Sequence, residues 1–343
     1  LGVDITASGA RGFLHDPDFP LPERLEEILA RPANDDIILT FTFPPNYRKL
    51  VGKKKIGIIV YETSHLPRTW VEAINGELSL VVVPSSFVSE IMVKNGVRPD
   101  FLAVVPHGHN PELFHPDVKP GPRPAGNAYT FLTLAVPHKR KGIEILLEAF
   151  VREFNGSQPV ALVIHSQYAP EPGKEKSWET PDVRALVEKA RKITSNPPRI
   201  IAKVGALSDD EMPPMIAACD CYIQPSMSEG FGIAILEAMA MEKPVIVTGW
   251  GGHMDFCAAG NCYTIDYDIV PAGSIQYDND NPSAFIALPG VSSLRKQLRR
   301  VYTNPGEARD RGRTARLSTR NLTWDAAARK LFRLLQQLPN GEE

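Results

Sequence analysis

The feature that most constrains this chain is a β/α rhythm that runs, breaks and starts again. Short apolar runs expected as strands fall at Val3–Ala7, Asp36–Phe41, Ile56–Val60, Leu80–Val83 and Leu102–Val105. Helical stretches fit between them at Pro22–Ala30, Arg68–Asn75 and Phe87–Asn95. Strands that are apolar throughout, alternating with helices, predict a parallel sheet covered on both faces. Phe114 to Pro124, dense in Pro and Gly, then breaks the pattern and reads as a linker between domains. The rhythm resumes with strands at Tyr129–Ala135, Val160–His165, Arg199–Val204, Cys221–Gln224 and Val245–Thr248. Helices fit at Ile143–Phe150, Pro181–Ile193, Asp209–Ala218 and Ile233–Met241. At 343 residues the chain is too long for one ordinary core. Two doubly wound, Rossmann-like lobes facing across a cleft are therefore expected, with ligands at the carboxyl ends of the strands.

Composition narrows the function classes. The chain is 43% hydrophobic and 23% charged, an ordinary globular balance, with a net charge of -2 that disfavours nucleic acid as the main partner. No apolar run approaches the roughly 18–20 residues that cross a bilayer, so a cytoplasmic protein, at most peripheral to the inner face of a membrane, is expected. Cys219, Cys221, Cys257 and Cys262 lack the paired spacing of a structural zinc site and read as buried, reduced thiols. The opening Leu1-Gly2-Val3-Asp4-Ile5-Thr6 reads as a helix end running into a strand, and an earlier strand and helix are expected to precede it. Near the other end, Thr323 is a good N-cap for a last helix whose apolar positions are Ala327, Leu331, Leu334, Leu335 and Leu338.

The most informative stretch runs from Ser226 to Ile246 and reads as a glycine-bearing turn, a helix and a strand. Positions 233–241 are apolar except for Glu237, which predicts a helix buried all round. A carboxylate there needs a partner, either a core Arg or the hydroxyls of a ligand such as a ribose. Glu229 stands in the turn before the helix, where it either caps the helix or meets a ligand. Gly230, Phe231 and Gly232 bring the backbone close, and the free amides of Ile233 and Ala234 open a helix N-terminus suited to an anion. Two carboxylates for hydroxyls beside a positive pole for phosphate fit a nucleotide diphosphate sugar.

This stretch, with its Pro244-Val245-Ile246 strand and the downstream Gly251-Gly252, resembles the donor-binding signature of family 4 glycosyltransferases. Three further segments resemble the same family in the same order: Val105 to Pro116 between the domains, Lys141 to Phe150 at the first helix of the second lobe, and Thr323-Trp324 at the closing helix. The resemblance implies a retaining enzyme of GT-B architecture. It implies an N-terminal acceptor-side domain over residues 1–118, a donor-binding domain over 119–318, and a closing helix over 319–343 that packs back on the first domain. Glu229 would contact the transferred sugar and Glu237 the donor ribose, while Lys141 would neutralise the diphosphate. Gly251 and Gly252 would add amides to the phosphate cradle, and Val204 and Gly205 would lie beside the base. No cofactor and no metal is implied; a UDP- or GDP-sugar is the expected donor, and a saccharide or lipid-linked hydroxyl the acceptor.

Some positions depart from that pattern. Ala135 and Val136 stand where the family has an Arg, so His138, Lys139 or Arg140 would supply the second charge at the phosphate, Arg140 being the choice because its fork binds phosphate bidentately. Glu62 stands where many relatives have a His; it would bind hydroxyls, accept the acceptor's proton or cap a helix. His65 reads as a loop residue, and His107 and His109 as part of the hinge. The family's glycine-rich first-strand loop is not visible. A basic cluster of Arg48, Lys49, Lys53, Lys54 and Lys55 is either a solvated turn or a membrane-docking patch. The rival to an active enzyme is a catalytically inactive, sugar-nucleotide-binding subunit of a polysaccharide assembly complex.

Overall fold

The computed structural model describes residues 37–42, 44–167, 181–273 and 283–338. The strand expected at Val3–Ala7 and the helix at Pro22–Ala30 lie outside the described residues. In the first lobe β1 (Ile37–Thr40), β2 (Lys54–Ile58), β3 (Leu80–Val83) and β4 (Leu102–Val104) form a parallel sheet in the order β1-β2-β3-β4. Helices α1 (Arg68–Glu77) and α2 (Ser86–Lys94) connect the last three strands. All four residues of β3 are buried, as an inner strand covered on both faces requires. Ser85 caps α2, its hydroxyl accepting from Val88 N at 3.2 Å.

The second lobe contains β5 (Tyr129–Leu134), α3 (Ile143–Glu153), β6 (Val160–Ser166), α4 (Val183–Arg191), β7 (Arg199–Val204) and α5 (Met212–Ala217). It continues with β8 (Cys221–Gln224), α6 (Ile233–Ala240), β9 (Val245–Thr248) and β10 (Tyr263–Ile265). Six strands form one parallel sheet in the order β10-β9-β8-β5-β6-β7. The chain thus winds outward from β5 on one side and from β8 on the other. The crevice at the carboxyl ends of these two central neighbours is where such sheets receive ligands.

Between Gly249 and Leu322 the structure adds elements the sequence reading left unassigned. An antiparallel hairpin of β11 (Tyr267–Pro271) and β12 (Phe285–Pro289) is followed by α7 (Val291–Thr303) and α8 (Pro305–Thr319). The period of Leu294, Leu298 and Val301, all buried, was a legible signal for α7. Helix α8 presents Ala308, Gly312 and Ala315, small residues that give little periodic contrast. Gly312 is required because a Cβ there would run into the Glu242 carbonyl. Helix α9 (Trp324–Gln337) is capped by Thr323, which accepts from Ala326 N at 3.2 Å. Its Ala327, Leu331, Leu334, Leu335 and Leu338 pack on Ile56, Leu80, Val82 and Val105 of the first lobe.

Two other expectations are corrected. Helix α5 starts three residues later than Asp209, because Glu211 accepts from Ser208 N and Oγ at 2.9 and 3.0 Å and holds that turn outside the helix. Helix α6 is not buried all round: Ile233 is 37% exposed, and Ala234 and Glu237 are half-buried. One stripe of the helix is therefore left uncovered by protein. All four cysteines are buried free thiols.

Candidate active site between the lobes

The loops leaving β5 and β8 carry most of the candidate residues to the central crevice. After β5, a short turn at Lys139–Lys141 presents Arg140 and Lys141, and Gly142 (φ 67°) starts α3 so close to the Pro225 carbonyl that no side chain fits. After β8, residues 225–232 form the turn into α6. Glu229 lies in it, 6% exposed. Its Oε1 accepts from Lys141 Nζ at 2.7 Å, Gln224 Nε2 at 2.6 Å and Ser226 Oγ at 2.7 Å, and Arg140 Nη1 lies 3.5 Å from Oε2. Burial pushes this carboxyl up, but Lys141 and Arg140, with the hydrogen bonds from Lys141 and Ser226, outweigh it and hold it well below the usual range. Glu229 is thus a buried anion whose hydrogen bonds orient the Lys141 ammonium.

Arg140 is itself 8% exposed. Its Nη1 donates to the Ser228 carbonyl at 2.6 Å, and its Nη2 lies 3.1 Å from Glu62 Oε1 in the first lobe. The guanidinium expected at a phosphate is here engaged by a backbone carbonyl and two carboxylates. Glu62 follows β2 at the carboxyl end of the first sheet, and its carbonyl accepts a hydrogen bond from Ser228 Oγ.

Gly230 packs against the first lobe: a Cβ there would lie 2.5 Å from Val60 Cγ1 and 2.9 Å from the Tyr61 carbonyl oxygen. Its own carbonyl accepts from Ser85 Oγ at 2.6 Å. Gly252 N donates to the Glu229 carbonyl at 2.7 Å, and Gly251 takes φ 126°, so the Gly251-Gly252 loop lies directly on the Glu229-Gly230 turn. That loop is also held from the first lobe. Asp255 accepts from Ser86 N at 2.7 Å and from Ser86 Oγ, at the N-terminus of α2, where the helix dipole favours a carboxylate. Beside it, Phe87 and Trp250 meet edge-on with ring centroids 4.7 Å apart.

Helix α6 begins at Gly232 (φ 91°), and the amides of Ile233 and Ala234 make no backbone hydrogen bond among the described residues. Phe231 is 2% exposed and packs on His107 and Phe256, centroids 5.2 and 5.1 Å away, so it belongs to the core. Burial pushes the His107 imidazole down to about 4, leaving it neutral at physiological pH. The Glu237 side chain forms no hydrogen bond or ion pair among the described residues, and burial, with a lesser contribution from Asp209, pushes its carboxyl up to about 8. Val204 and Gly205 end β7 at the same carboxyl edge of the sheet, two strands from β5; Gly205 N donates to the Ser166 carbonyl at 3.0 Å.

His109 N donates to the Leu322 carbonyl at 3.0 Å and Trp324 N to the His109 carbonyl at 3.3 Å, so the two chain passages between the lobes touch. His65 is placed by its backbone, its carbonyl accepting from Tyr61 Oη at 2.6 Å. In the basic cluster, Lys55 and Arg48 face Glu77 at 3.0 and 4.0 Å, and Lys54 donates to the Leu338 carbonyl at 3.4 Å. Sequence reasoning missed Gln224, Ser226, Ser85, Ser86 and Asp255. A Ser-x-x-Glu spacing at 226–229 was the available signal for one pair; the contacts of Ser85 and Ser86 span the two lobes and left none. Among the described residues no group of three or more His, Cys, Asp or Glu is arranged to hold a metal ion, and no helix is long and apolar enough to cross a membrane.

Comparison with known proteins bears on this geometry. Residues 128–285 match the family model described as Glycosyl transferases group 1. The matched segment contains both loops of the central crevice and all of the second lobe's sheet. Over 200 residues the chain is 28% identical to the sulfoquinovosyl transferase SQD2 of Arabidopsis thaliana, covering 54% of this chain and 35% of that protein. Over 172 residues it is 28% identical to the MMP alpha-(1->4)-mannosyltransferase of Mycolicibacterium hassiacum, covering 50% of this chain and 37% of that protein. The matches thus span little more than a third of these curated relatives. In fold, the chain is similar to a glycosyltransferase from Rickettsia africae, with a TM-score of 0.67 and 18% identity over 90% of this chain and 78% of that one. It is similar also to Anabaena Alr3699/HepE in complex with UDP-glucose, with a TM-score of 0.68 and 17% identity over 88% and 79%. The architecture is that of the GT-B glycosyltransferases, two Rossmann-like parallel-sheet lobes.

Proposed function

We propose that this protein is a retaining, family 4 glycosyltransferase that moves a hexose from a nucleotide diphosphate sugar to a saccharide or lipid-linked hydroxyl. The observation that carries the reading is the arrangement at the crevice between β5 and β8. Unengaged amides at the start of α6 (Ile233, Ala234) and an ammonium oriented by a buried carboxylate (Lys141 on Glu229) border it, and one turn further along α6 stands a carboxylate without a side-chain partner among the described residues (Glu237). Glu237 takes the ribose hydroxyls, and the Ile233 and Ala234 amides with that of Gly251 take the diphosphate, while the Gly252 amide, expected there too, is held by the Glu229 carbonyl. Lys141 stabilises the charge that develops on the leaving diphosphate, and Glu229, besides meeting the transferred sugar, orients that ammonium. Glu62, at the end of β2, faces the acceptor. The chemistry is positioning and leaving-group stabilisation, through an oxocarbenium-like transition state. The solved complexes of HepE with UDP and UDP-glucose support a UDP-sugar as the first donor to try.

The test is a thermal-shift panel of UDP, GDP, ADP, dTDP and their common sugars on the wild type and Glu237→Ala. A nucleotide at 100 times its Kd should stabilise the folded wild type by about 2.7 kcal/mol and the variant far less. No shift with any nucleotide would overturn the reading. A shift without transfer to any acceptor would favour the inactive binding subunit. Product of inverted configuration would remove retention, and loss of turnover in chelator would remove metal independence.

A further inference from the structure

His253 lies inside the Gly251–Asp255 loop, fully buried, and none of the roles above uses it. Its side chain lies against two glycine backbones of the crevice, its Cβ facing Gly232 and its ring facing Gly251. A Cβ added to Gly232 would lie 3.1 Å from His253 Cβ, and one added to Gly251 would lie 3.2 Å from His253 Cε1. Its Nε2 is 2.7 Å from the carbonyl oxygen of Thr248, the last residue of β9. A carbonyl only accepts, so Nε2 carries the proton and Nδ1 holds a lone pair. That Nδ1 has no hydrogen-bond partner. An unmet nitrogen in a packed interior is costly, and an apolar ring of the same size would avoid that cost. What an apolar ring could not supply is the tether to the end of β9.

Resting on the glycosyltransferase reading, we propose that His253 is a positioning residue of the donor site. As a tethered wedge, it fixes the spacing between the N-terminus of α6 and the Gly251-Gly252 loop, and so the shape of the diphosphate cradle. Burial holds the imidazole below its usual value and keeps it neutral, which suits a group that has the Lys141 ammonium, the Glu229 carboxylate and Asp255 for charged neighbours. A second cation here would compete with Lys141 for Glu229.

The experiment measures UDP and GDP affinity by calorimetry for the wild type, His253→Gln, His253→Asn and His253→Phe, with melting temperatures recorded alongside. The Gln amide nitrogen stands as many bonds from the backbone as Nε2 and keeps the tether; the Asn amide falls short, and Phe has no donor. His253→Gln should bind within a few-fold of wild type, while His253→Asn and His253→Phe should lose about tenfold, ~1.4 kcal/mol. Equal affinity in all three, or an equal loss in all three, would overturn the proposal. Should the poorer variants fail to fold, the wild type still decides. The His253 Nε2–H resonance should shift when UDP binds, and an unmoved resonance in a protein that binds UDP would refute the wedge. Failure of the wild type to bind any nucleotide would instead overturn the glycosyltransferase reading, and this proposal with it.

Discussion

Arg140 of the second lobe and Glu62 of the first form an ion pair across the crevice, Nη2 to Oε1 at 3.1 Å, with both side chains largely buried. The pair joins the carboxyl ends of the two sheets, and through Ser228 and Glu229 it extends to Lys141. Buried charges of this kind are expensive to break singly and are often neutral to replace together. Arg140→Met and Glu62→Gln should therefore each lower stability, and the double variant should lose less than the sum. A coupling of about 0.5–3 kcal/mol is expected from denaturant melts of the four proteins. Strict additivity would mean that the two side chains do not meet in solution.

Glu229 sets the acid limb of stability. Its ordinary value is 4.5, and its folded value is well below that. The stability it contributes is therefore present above 4.5 and is lost as pH falls below it towards the folded value. Melts taken from about pH 6 down to about pH 3 should show a steep loss for the wild type and a flatter one for Glu229→Gln. Parallel curves would refute the assignment.

Glu237 acts in the opposite sense. With a folded value of about 8 against 4.5, its contribution is complete below 4.5 and is lost as pH rises through 8. Glu237→Gln should therefore gain on the wild type in melting temperature between about pH 6 and pH 9. On the proposed reading, ribose hydroxyls donate to the charged carboxylate, so nucleotide binding near neutral pH releases a proton. Calorimetry in two buffers of different ionisation enthalpy should detect it, and proton uptake would contradict the assignment.

Gly108 marks where the chain passages between the lobes cross. A Cβ there would collide with the backbone of Thr323 and Trp324. Gly108→Ala should force them apart, at a cost of about 1–3 kcal/mol. It should also weaken nucleotide binding through the altered lobe angle. An unchanged melting temperature would show that the crossing relaxes freely.

Asp255 tests whether the glycine loop depends on the first lobe. Asp255→Ala removes the carboxylate that accepts from Ser86 N at the start of α2, a helix-end interaction worth about 0.5–2 kcal/mol. Nucleotide affinity should fall more than stability does, because Gly251 and Gly252 lose a support rather than the core. A loss of stability with affinity intact would separate the loop from the donor site.

The sequence by itself determined the two β/α lobes, nearly all of their strands, the Thr323 cap and the apolar stripe of α9. These depend on local period and on capping chemistry, which neighbouring residues carry. It also placed Glu229 in the turn before a helix, Lys141 just before another and Glu237 within a helix, because the glycines and the lone acid in an apolar run are visible in one dimension. Only the tertiary structure decided that β5 and β8 are neighbours, since strand order is not encoded in spacing. That adjacency brings Lys141 onto Glu229, and the closure of the lobes turns Arg140 towards Glu62. The hairpin contact of Ser64 with Phe285, the Asp255 cap on α2 and the His253 wedge were equally hidden. In the first two the partners stand more than 150 residues apart; in the third they lie close in sequence, but only the fold shows that the side chain touches both the Gly232 and the Gly251 backbone.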